Sequence, residues 1–233
     1  MDNIISKHHF LKKYFDYSLW DYQSEITLLE NGRLEQNHPL RIIRTEGKLI
    51  IEYMPGFQTI DESQISCEMS NQEIIALILG SNVSFFEQQS FVMFAKEPMT
   101  LPLSEGLRIE PLSIHKKLDL GRLKSACSSH ELERSLVGLE DDDTLGIYHG
   151  NDLLAAGSLW FLGEELADIH LITHPKFRSI GLGKLMIGLL VNRAFRLNRI
   201  PIARGEIQNE ATYHVALSTG FVEAISIFEI VVE

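Results

Sequence analysis

The sequence predicts an α/β protein built in two parts, and three observations lead to this fold class. Apolar residues recur with strand-like alternation in some segments and with helical spacing in others along the 233 residues. Between Leu166 and Ala194, an alternating strand, a glycine-containing loop and a largely apolar helix follow one another. The segment KEPMTLPLSEG at 96–106 has prolines and a glycine among small polar residues, which indicates a boundary. We expect one domain at 1–103 and a second at 104–233.

Composition and charge narrow the class of function. The hydrophobic fraction of 45% and the charged fraction of 23% are ordinary for a soluble globular protein. No apolar run approaches the ~18 residues of a membrane span, and the N-terminal residues do not resemble a secretory signal. We therefore expect a cytoplasmic protein with no membrane partner. The net charge of -11 argues against nucleic-acid binding and favours cationic small molecules or basic peptides as partners.

The cysteine and histidine content does not predict a metal site. Cys67 and Cys127 are the only cysteines and lie far apart, which argues against a disulfide framework and a cysteine-built zinc site. His8 and His9 are adjacent, so on a helix their side chains diverge, and no matching set of carboxylates and histidines accompanies them. We expect no metal.

The first domain is predicted to contain two helices, a hairpin and a buried strand. Helical spacing runs through residues 3–30 and would direct Phe10, Tyr14, Tyr17 and Leu28 to a core. The other predicted elements are a hairpin over 41–54 turning at Glu46–Gly47, a helix with a capping box at Ser70 and Glu73 that ends at Gly80, and a strand at 90–95.

The second domain is predicted to alternate strands and helices in a definite order. The elements are a strand at 107–112, helices at 118–127 and 129–139, strands at 144–150, 153–162 and 166–173, a helix at 185–194, a strand at 202–208, a helix begun by Asn209 and ended by Gly220–Phe221, and a final strand. In the 166–173 strand, Asp168, His170 and Ile172 would share one face, opposite Ala167, Ile169, Leu171 and Thr173.

The loop RSIGLG at 178–183 has the properties of an anion site. Gly181 and Gly183 allow a tight turn and a close backbone approach, and the helix that they begin presents unpaired N–H groups and its positive dipole end. A pyrophosphate fits such a site, and Arg178 and Lys184 add positive charge beside it. The spacing differs from the glycine motifs of dinucleotide-binding proteins and of nucleoside triphosphatases.

These residues resemble the GNAT superfamily of N-acetyltransferases. Its acetyl-CoA signature is Arg or Gln, two residues of any type, Gly, any residue, then Gly or Ala, which RSIGLG matches. The ITHPKF lead-in, the strand at 202–208, Asn209 and the Gly220–Phe221 ending follow in the order of that superfamily. The resemblance covers about residues 107–233. It implies a mixed, mostly antiparallel acetyltransferase sheet flanked by helices, preceded here by a smaller α/β domain whose role is open, acceptor recognition being one alternative.

The resemblance also implies an activity and a set of coenzyme contacts. The reaction would be direct transfer of acetyl from the co-substrate acetyl-CoA to an amine of a small molecule or peptide, without a covalent enzyme intermediate. The backbone N–H of Leu171 or Ile172 would stabilise the oxyanion, and Thr173 would pair with the pantetheine arm. The remaining expected coenzyme-binding residues are Arg178, Ser179, Ile180, Gly181, Leu182, Gly183, Lys184 and Asn209, the last of which would also serve as an N-cap.

A lysine-like amine has a reference pKa of about 10.4 and must lose a proton before it attacks, so a base is needed. Asp168 is the first candidate, because many family members carry a glutamate with this side-chain direction; a solvated or Arg204-paired carboxylate is the alternative. His170 points the same way and could relay a proton, although histidines more often only pack or hydrogen-bond. Glu206 is the third candidate, with a salt bridge to Arg204 as its alternative.

The general acid stays unassigned. Many relatives have a tyrosine four residues before the Gly-Phe ending, and here that position is Ala216. Either another acid or water serves, or Tyr213 or Tyr148 substitutes, or the site binds acetyl-CoA without turnover. A catalytically weak or inactive acetyl-CoA-binding sensor and a partner-binding protein are therefore kept as alternatives. A larger acyl group, a hydroxyl acceptor and a homodimer are also left open.

Overall fold

The computed structural model describes residues 4–18, 20–21, 23–57, 61–100 and 105–232. Within them lie six α-helices and ten strands: α1 (Lys7–Ser18), β1 (Ile26–Glu30), β2 (Leu40–Thr45), β3 (Lys48–Tyr53), α2 (Asn71–Leu79), β4 (Phe85–Ala95), β5 (Leu107–Pro111), α3 (Lys117–Ser125), α4 (Ser129–Ser135), β6 (Asp143–His149), β7 (Asp152–Leu162), β8 (Leu166–Thr173), α5 (Leu182–Arg196), β9 (Ile200–Glu206), α6 (Glu210–Ser218) and β10 (Phe221–Val232). This is the mixed, mostly antiparallel α/β class that the sequence predicts, with β1–β3 and β8–β9 as parallel pairs.

The chain divides into two compact units. We call them the large unit and the small unit. The large unit holds the described residues up to Phe10, those of Met93–Arg204 and Ala211–Val222. The small unit holds the described residues of Leu11–Val92, Gly205–Glu210 and Glu223–Glu233. The predicted domain boundary after residue 103 lies outside the described residues and stays a prediction.

The small unit packs α2 against a sheet. Strand β3 pairs with β1 on one side and with β2 on the other, and β2 pairs in turn with β10. The predicted hairpin is confirmed, since β2 and β3 meet at Glu46–Gly47 and Gly47 has a positive φ of 68°. The capping box of Ser70 and Glu73 is also confirmed at the start of α2. Apolar residues of α2 and of the strands form the core: Leu40, Ile42, Leu49, Ile51, Ile74, Ile75, Ile78 and Ile230.

The predicted helix within residues 3–30 is only partly correct. Helix α1 covers Lys7–Ser18 and buries Phe10 and Tyr14, whereas Tyr17 is 43% exposed. Leu28 lies on a strand instead, opposite Ile51 in the parallel β1–β3 pair. The segment ITLLE satisfies its backbone groups through β3, and this long-range pairing decides its conformation over the local spacing of apolar residues.

The large unit is a sheet covered by helices on both faces. Strands β5, β6, β7 and β8 pair antiparallel in sequence order, and β9 adds in parallel to β8. On one face α5 packs against apolar residues that include Ile147, Leu159 and Ala167. On the other face α3 and α4 pack near Tyr148, Ala156 and Ile172. The capping box of Ser128 and Glu131 begins α4, as the sequence predicts.

Two glycine substitutions in the large unit should act in opposite directions. A Cβ at Gly157 would lie 2.6 Å from Met186 Cγ and 2.8 Å from Leu190 Cδ1 of α5, so Gly157→Ala should lower the free energy of unfolding. We expect a loss of about 1–3 kcal/mol from overpacking. Gly121 lies inside α3 with no atom within 4 Å of a Cβ. Gly121→Ala should therefore stabilise the protein by about 0.5–1 kcal/mol through helix propensity. Urea unfolding of both variants tests the pair, and equal effects would contradict the packing of α5 on β7.

Candidate active site

Strand β8 has the two faces that the sequence predicts. Ala167, Ile169 and Leu171 pack in the apolar cluster beneath α5. Ile172 belongs to the cluster on the opposite face, and the side chains of Asp168 and His170 lie on that opposite face as well, because direction alternates along a strand. The strand thus separates an apolar core face from a face that carries titratable groups.

One edge of β8 is open from Ile169 onwards. On the other edge β7 pairs with β8 along its whole length. Strand β9 runs parallel to β8 but pairs with it only over Leu166–Asp168 in the described part of the chain. An extended ligand can add to such an edge as a further strand through main-chain hydrogen bonds.

Two hydrogen bonds determine which backbone groups face the open edge. The carbonyl oxygen of Glu165 accepts from a backbone N–H of β9 at 2.7 Å, so odd-numbered positions face that edge. The N–H of His174 donates to a backbone oxygen of β7 at 2.8 Å, so even-numbered positions face β7. Because these directions alternate, the N–H of Leu171 faces the open edge and that of Ile172 faces β7. Of the two predicted oxyanion donors, Leu171 is the one directed towards the open edge.

The loop after β8 forms a turn that exposes its backbone. His174 caps a short 3-10 turn at Pro175–Phe177 and accepts the N–H of Lys176 at its Nδ1, 3.2 Å away. Ser179 and Gly181 both have positive φ, 63° and 90°, and Gly181 is the N-cap of α5. The first N–H groups of α5 have no intrahelical acceptors, and its dipole is positive at this end. Ile180 is 67% exposed, so this loop lies at the surface.

Arg178 is held by the protein rather than extended into solvent. Its Nε and Nη2 donate to the carbonyl oxygen of Thr173, both at 3.2 Å, and its Nη1 donates to the carboxylate of Glu131 in α4. The Arg178 guanidinium and the backbone N–H of Ser128 lower the pKa of Glu131 to about 2. Arg178 therefore ties the loop to α4, and Glu131 offsets part of its positive charge.

Acidification should weaken the contribution of Glu131 to stability. A carboxyl group whose pKa is lower in the folded state stabilises the fold at pH values above its unfolded pKa and loses that effect as pH falls. The loss should span the window from about pH 4.5 to about pH 2. Its size should be about 1 kcal/mol or less, because the pair is partly exposed.

The measurement is Tm against pH for wild type and for Glu131→Gln, which keeps the helix cap. The Tm difference between the two proteins should shrink as pH falls through this window. Glu133→Gln, an exposed carboxylate of the same helix, is the control and should show no such trend. A Tm difference that stays constant with pH would contradict the assigned ion pair.

Asp168 is buried and paired with Arg204. The Arg204 Nε and Nη2 donate to Asp168 Oδ2 at 2.9 and 2.6 Å, and the Asp168 side chain is only 5% exposed. The second oxygen, Oδ1, has no hydrogen-bond partner within the described residues. Asp168 is therefore held as a positioned carboxylate with one oxygen available. The ion pair with Arg204, which the sequence analysis gives as the alternative to a catalytic role, is present, but it uses only one of the two oxygens of Asp168.

His170 lies between two carboxylates. Its Nε2 is 3.5 Å from Asp168 Oδ2 and its Nδ1 is 4.0 Å from Asp141 Oδ2, both longer than normal hydrogen bonds. Nδ1 is buried and has no hydrogen-bond partner within the described residues. A small movement of the ring would connect either carboxylate to the imidazole.

Asp141 is a site residue that the sequence does not reveal. It belongs to the acidic run at 140–143, whose pattern predicts a charged turn, yet its side chain is only 7% exposed. Its carboxylate accepts from the Ser158 hydroxyl and from the N–H of Gly138, the latter at 2.8 Å. Asp141, Ser158 and His170 thus form a buried polar group beside Asp168.

The other predicted site residues are placed differently. Glu206 is the exposed last residue of β9, Asn209 directly precedes α6, and both belong to the small unit. Tyr148 is 1% exposed and its hydroxyl donates to Asp119 at 3.0 Å. Burial, and then this hydrogen bond, raise the pKa of the Tyr148 hydroxyl above its usual value. Ala216 is fully buried, so no polar side chain stands at the position where many relatives have their tyrosine.

The large unit has the fold seen in GNAT acetyltransferases. The large unit has the strand and helix order of that fold, which confirms the fold that the sequence predicts. None of the helices in the described part of the chain has the length and apolar composition needed to span a bilayer.

The chain is similar to solved structures of this class. One is an acetyltransferase of the GNAT family from Colwellia psychrerythraea, with 19% sequence identity and a TM-score of 0.54, over 69% of this chain and 62% of that protein. Another is a GCN5-related N-acetyltransferase from Sphaerobacter thermophilus, with 11% identity and a TM-score of 0.50, over 64% of this chain and 53% of that protein. The match thus spans less than two thirds of either neighbour. No protein-family model and no curated protein sequence matches the chain.

Proposed function

We propose that the protein is an acetyl-CoA-dependent N-acetyltransferase. One observation supports this most strongly: the open edge of β8 leads directly into a glycine turn at the N-terminus of α5. The edge suits an extended amide-containing arm, and the helix N-terminus suits a pyrophosphate. Coenzyme A contains both groups, joined in that order.

The loop geometry fits a ligand that approaches the backbone closely. A Cβ at Gly181 or Gly183 would meet no atom within 4 Å, so the space beside both residues is open. The N–H groups of residues 179–184 would bind the pyrophosphate, with Lys184 supplying positive charge. The N–H and C=O groups that face the open edge of β8, from Ile169 to Thr173, would pair with the pantetheine arm.

The proposed reaction is a direct acyl transfer. The amine nitrogen attacks the thioester carbon and forms a tetrahedral intermediate, whose oxyanion would accept from the Leu171 N–H. The C–S bond then breaks, giving an amide and coenzyme A thiol. The proton lost by the amine would pass through a water to Asp168 Oδ1. His170 and Glu206 remain further candidates for proton transfer, and the acid that protonates the thiolate is unassigned.

The acceptor would approach the face that carries Asp168. Trp160 of β7 stands directly opposite Asp168 and is 46% exposed, so an aromatic surface adjoins the carboxylate. A cationic amine can contact an aromatic face and a carboxylate at once. The net charge of -11 favours the same class of acceptor, a small-molecule or peptide amine.

The test is a binding titration followed by a turnover assay. Calorimetry with acetyl-CoA should show micromolar binding, a free energy of about -8 kcal/mol, and weaker binding of dephospho-CoA and ATP. Release of free thiol should then accompany acetylation of a cationic amine. No heat with any of the three ligands would overturn the assignment of the loop.

The second candidate is an acetyl-CoA-binding module without turnover. The buried Ala216 favours it, because that position lacks the hydroxyl acid of many relatives, and the Tyr148 hydroxyl is engaged with Asp119. This candidate predicts the same coenzyme affinity and no thiol release above the rate of hydrolysis with any amine. The turnover assay therefore separates the two.

A further inference from the structure

The small unit contains a solvent-open cavity of about 270 Å³ that has no part in the proposed reaction. Its walls come from the loop between β1 and β2, from β2 and from β10: Arg33, Leu34, Glu35, His38, Leu40, Arg41 and Glu229. The loop is fixed at both ends, since Asn31 N–H donates to Tyr53 O at 2.8 Å and Asn37 O accepts from Val232 N–H at 3.0 Å. These two bonds tie the loop to β3 and β10.

A partly buried ion network adjoins this cavity, and two of its members, Arg41 and Glu229, line the wall. Arg41 Nε and Nη2 donate to Glu229 Oε1 at 3.0 and 2.7 Å, and its Nη1 donates to Glu52 Oε2 at 3.0 Å. The Glu52 side chain is 8% exposed and also accepts from the Trp20 indole N–H at 3.1 Å. One guanidinium thus faces two carboxylates, which leaves an excess of negative charge at the wall.

Two acceptor atoms of the wall, Glu229 Oε2 and His38 Nδ1, are placed to accept hydrogen bonds from one ammonium group. Glu229 Oε2 and His38 Nδ1 are 4.0 Å apart, too far for a hydrogen bond between them. A single ammonium nitrogen placed between them would lie within about 3 Å of each and donate to both. Neither atom has a hydrogen bond within the described residues, so such a ligand would satisfy both.

The rim of the cavity adds a group of opposite charge. Arg33 is exposed, and its guanidinium makes no ion pair within the described residues. A planar guanidinium binds carboxylates in a bidentate manner. Leu34 and Leu40 supply apolar wall for a side chain.

We propose that this cavity binds a free α-amino acid. Its ammonium would lie between Glu229 and His38, its carboxylate would pair with Arg33, and its side chain would contact the two leucines. The site belongs to the small unit and is independent of the proposed acetyltransferase activity.

The experiment measures binding to the full chain by thermal shift and calorimetry, with the L-α-amino acids as probes. At saturation at least one should raise Tm by a few degrees, as expected for a ligand of the folded state. Its N-acetylated form, which lacks the ammonium, should not bind. The amine made by removing its carboxylate should bind about tenfold more weakly.

Point variants locate the site. His38→Ala leaves the ion pairs of Arg41 intact and should weaken binding of the amino acid about tenfold or more. Arg33→Gln should weaken binding of the amino acid and leave binding of the decarboxylated amine unchanged. Arg196→Gln, an exposed arginine at the end of α5, is the matched control and should bind as wild type. The proposal is overturned if no amino acid binds at about 10 mM, or if His38→Ala and Arg33→Gln bind as tightly as wild type.

Discussion

Gly181→Asp should abolish coenzyme binding while leaving the fold intact. The new carboxylate would stand at the N-cap of α5, where the proposed pyrophosphate lies, and the space beside a Cβ at this position is open, so the side chain would fit without a clash. Two like charges about 5 Å apart repel by about 3 kcal/mol at an effective dielectric constant of 20. We expect acetyl-CoA affinity to fall by about 100-fold or more.

Gly181→Asn is the matched control for this charge. Asn has nearly the same size as Asp and tolerates the positive φ of 90° at this position, but it carries no charge. Calorimetric titration should show a loss of no more than about tenfold for Asn. Equal losses for the two variants would mean that backbone strain, not repulsion, acts at Gly181. A folded Gly181→Asp protein that still binds would remove the loop from the coenzyme site.

Features that depend on neighbours in sequence could be predicted. The alternation of β8 separates Ala167 from Asp168 because a strand has a period of two. The capping boxes at Ser70 and Ser128 each require only a glutamate three residues later, and both boxes are present. The glycine turn into α5 follows for the same reason, since Gly181 supplies the left-handed backbone that the turn requires.

Features that depend on residues far away in the sequence could not be predicted. Asp141 looks like its acidic neighbours in sequence, and only its contact with Ser158, on another strand, makes it a buried site residue. The sequence predicts that Arg178 adds positive charge beside the pyrophosphate, but its ion pair with Glu131 depends on the packing of α4 and has no local signal. Helix α4 also ends earlier than its apolar spacing predicts, because Leu136 adopts a left-handed backbone with φ of 52°.

The same distinction applies to the choice of base. The sequence places Asp168, His170 and Glu206 on neighbouring strands and cannot order them by accessibility or pairing. In the folded large unit Asp168 keeps one oxygen outside its pairing with Arg204, and His170 lies 3.5 Å from the other oxygen. These contacts favour Asp168 as the group that a water-mediated proton would reach.

Asp168→Asn should reduce turnover sharply while keeping coenzyme affinity. The amide oxygen of Asn can still accept from Arg204, so the strand pairing should survive, but Asn cannot take a proton. We expect kcat to fall by about 100-fold to 10,000-fold at neutral pH, the usual effect of a lost general base. The remaining rate should rise with pH only as the free amine itself deprotonates, which for a lysine-like acceptor has a pKa of about 10.4.

The pH dependence separates a base from a residue that only positions Arg204. Asp168→Glu should recover part of the rate and the pH profile of wild type, since it restores a carboxylate. Asp152→Asn, an exposed carboxylate at the start of β7, should leave kcat unchanged. If Asp168→Asn lowers kcat but keeps the wild-type profile, Asp168 only positions its neighbours, and His170 or Glu206 becomes the base to test.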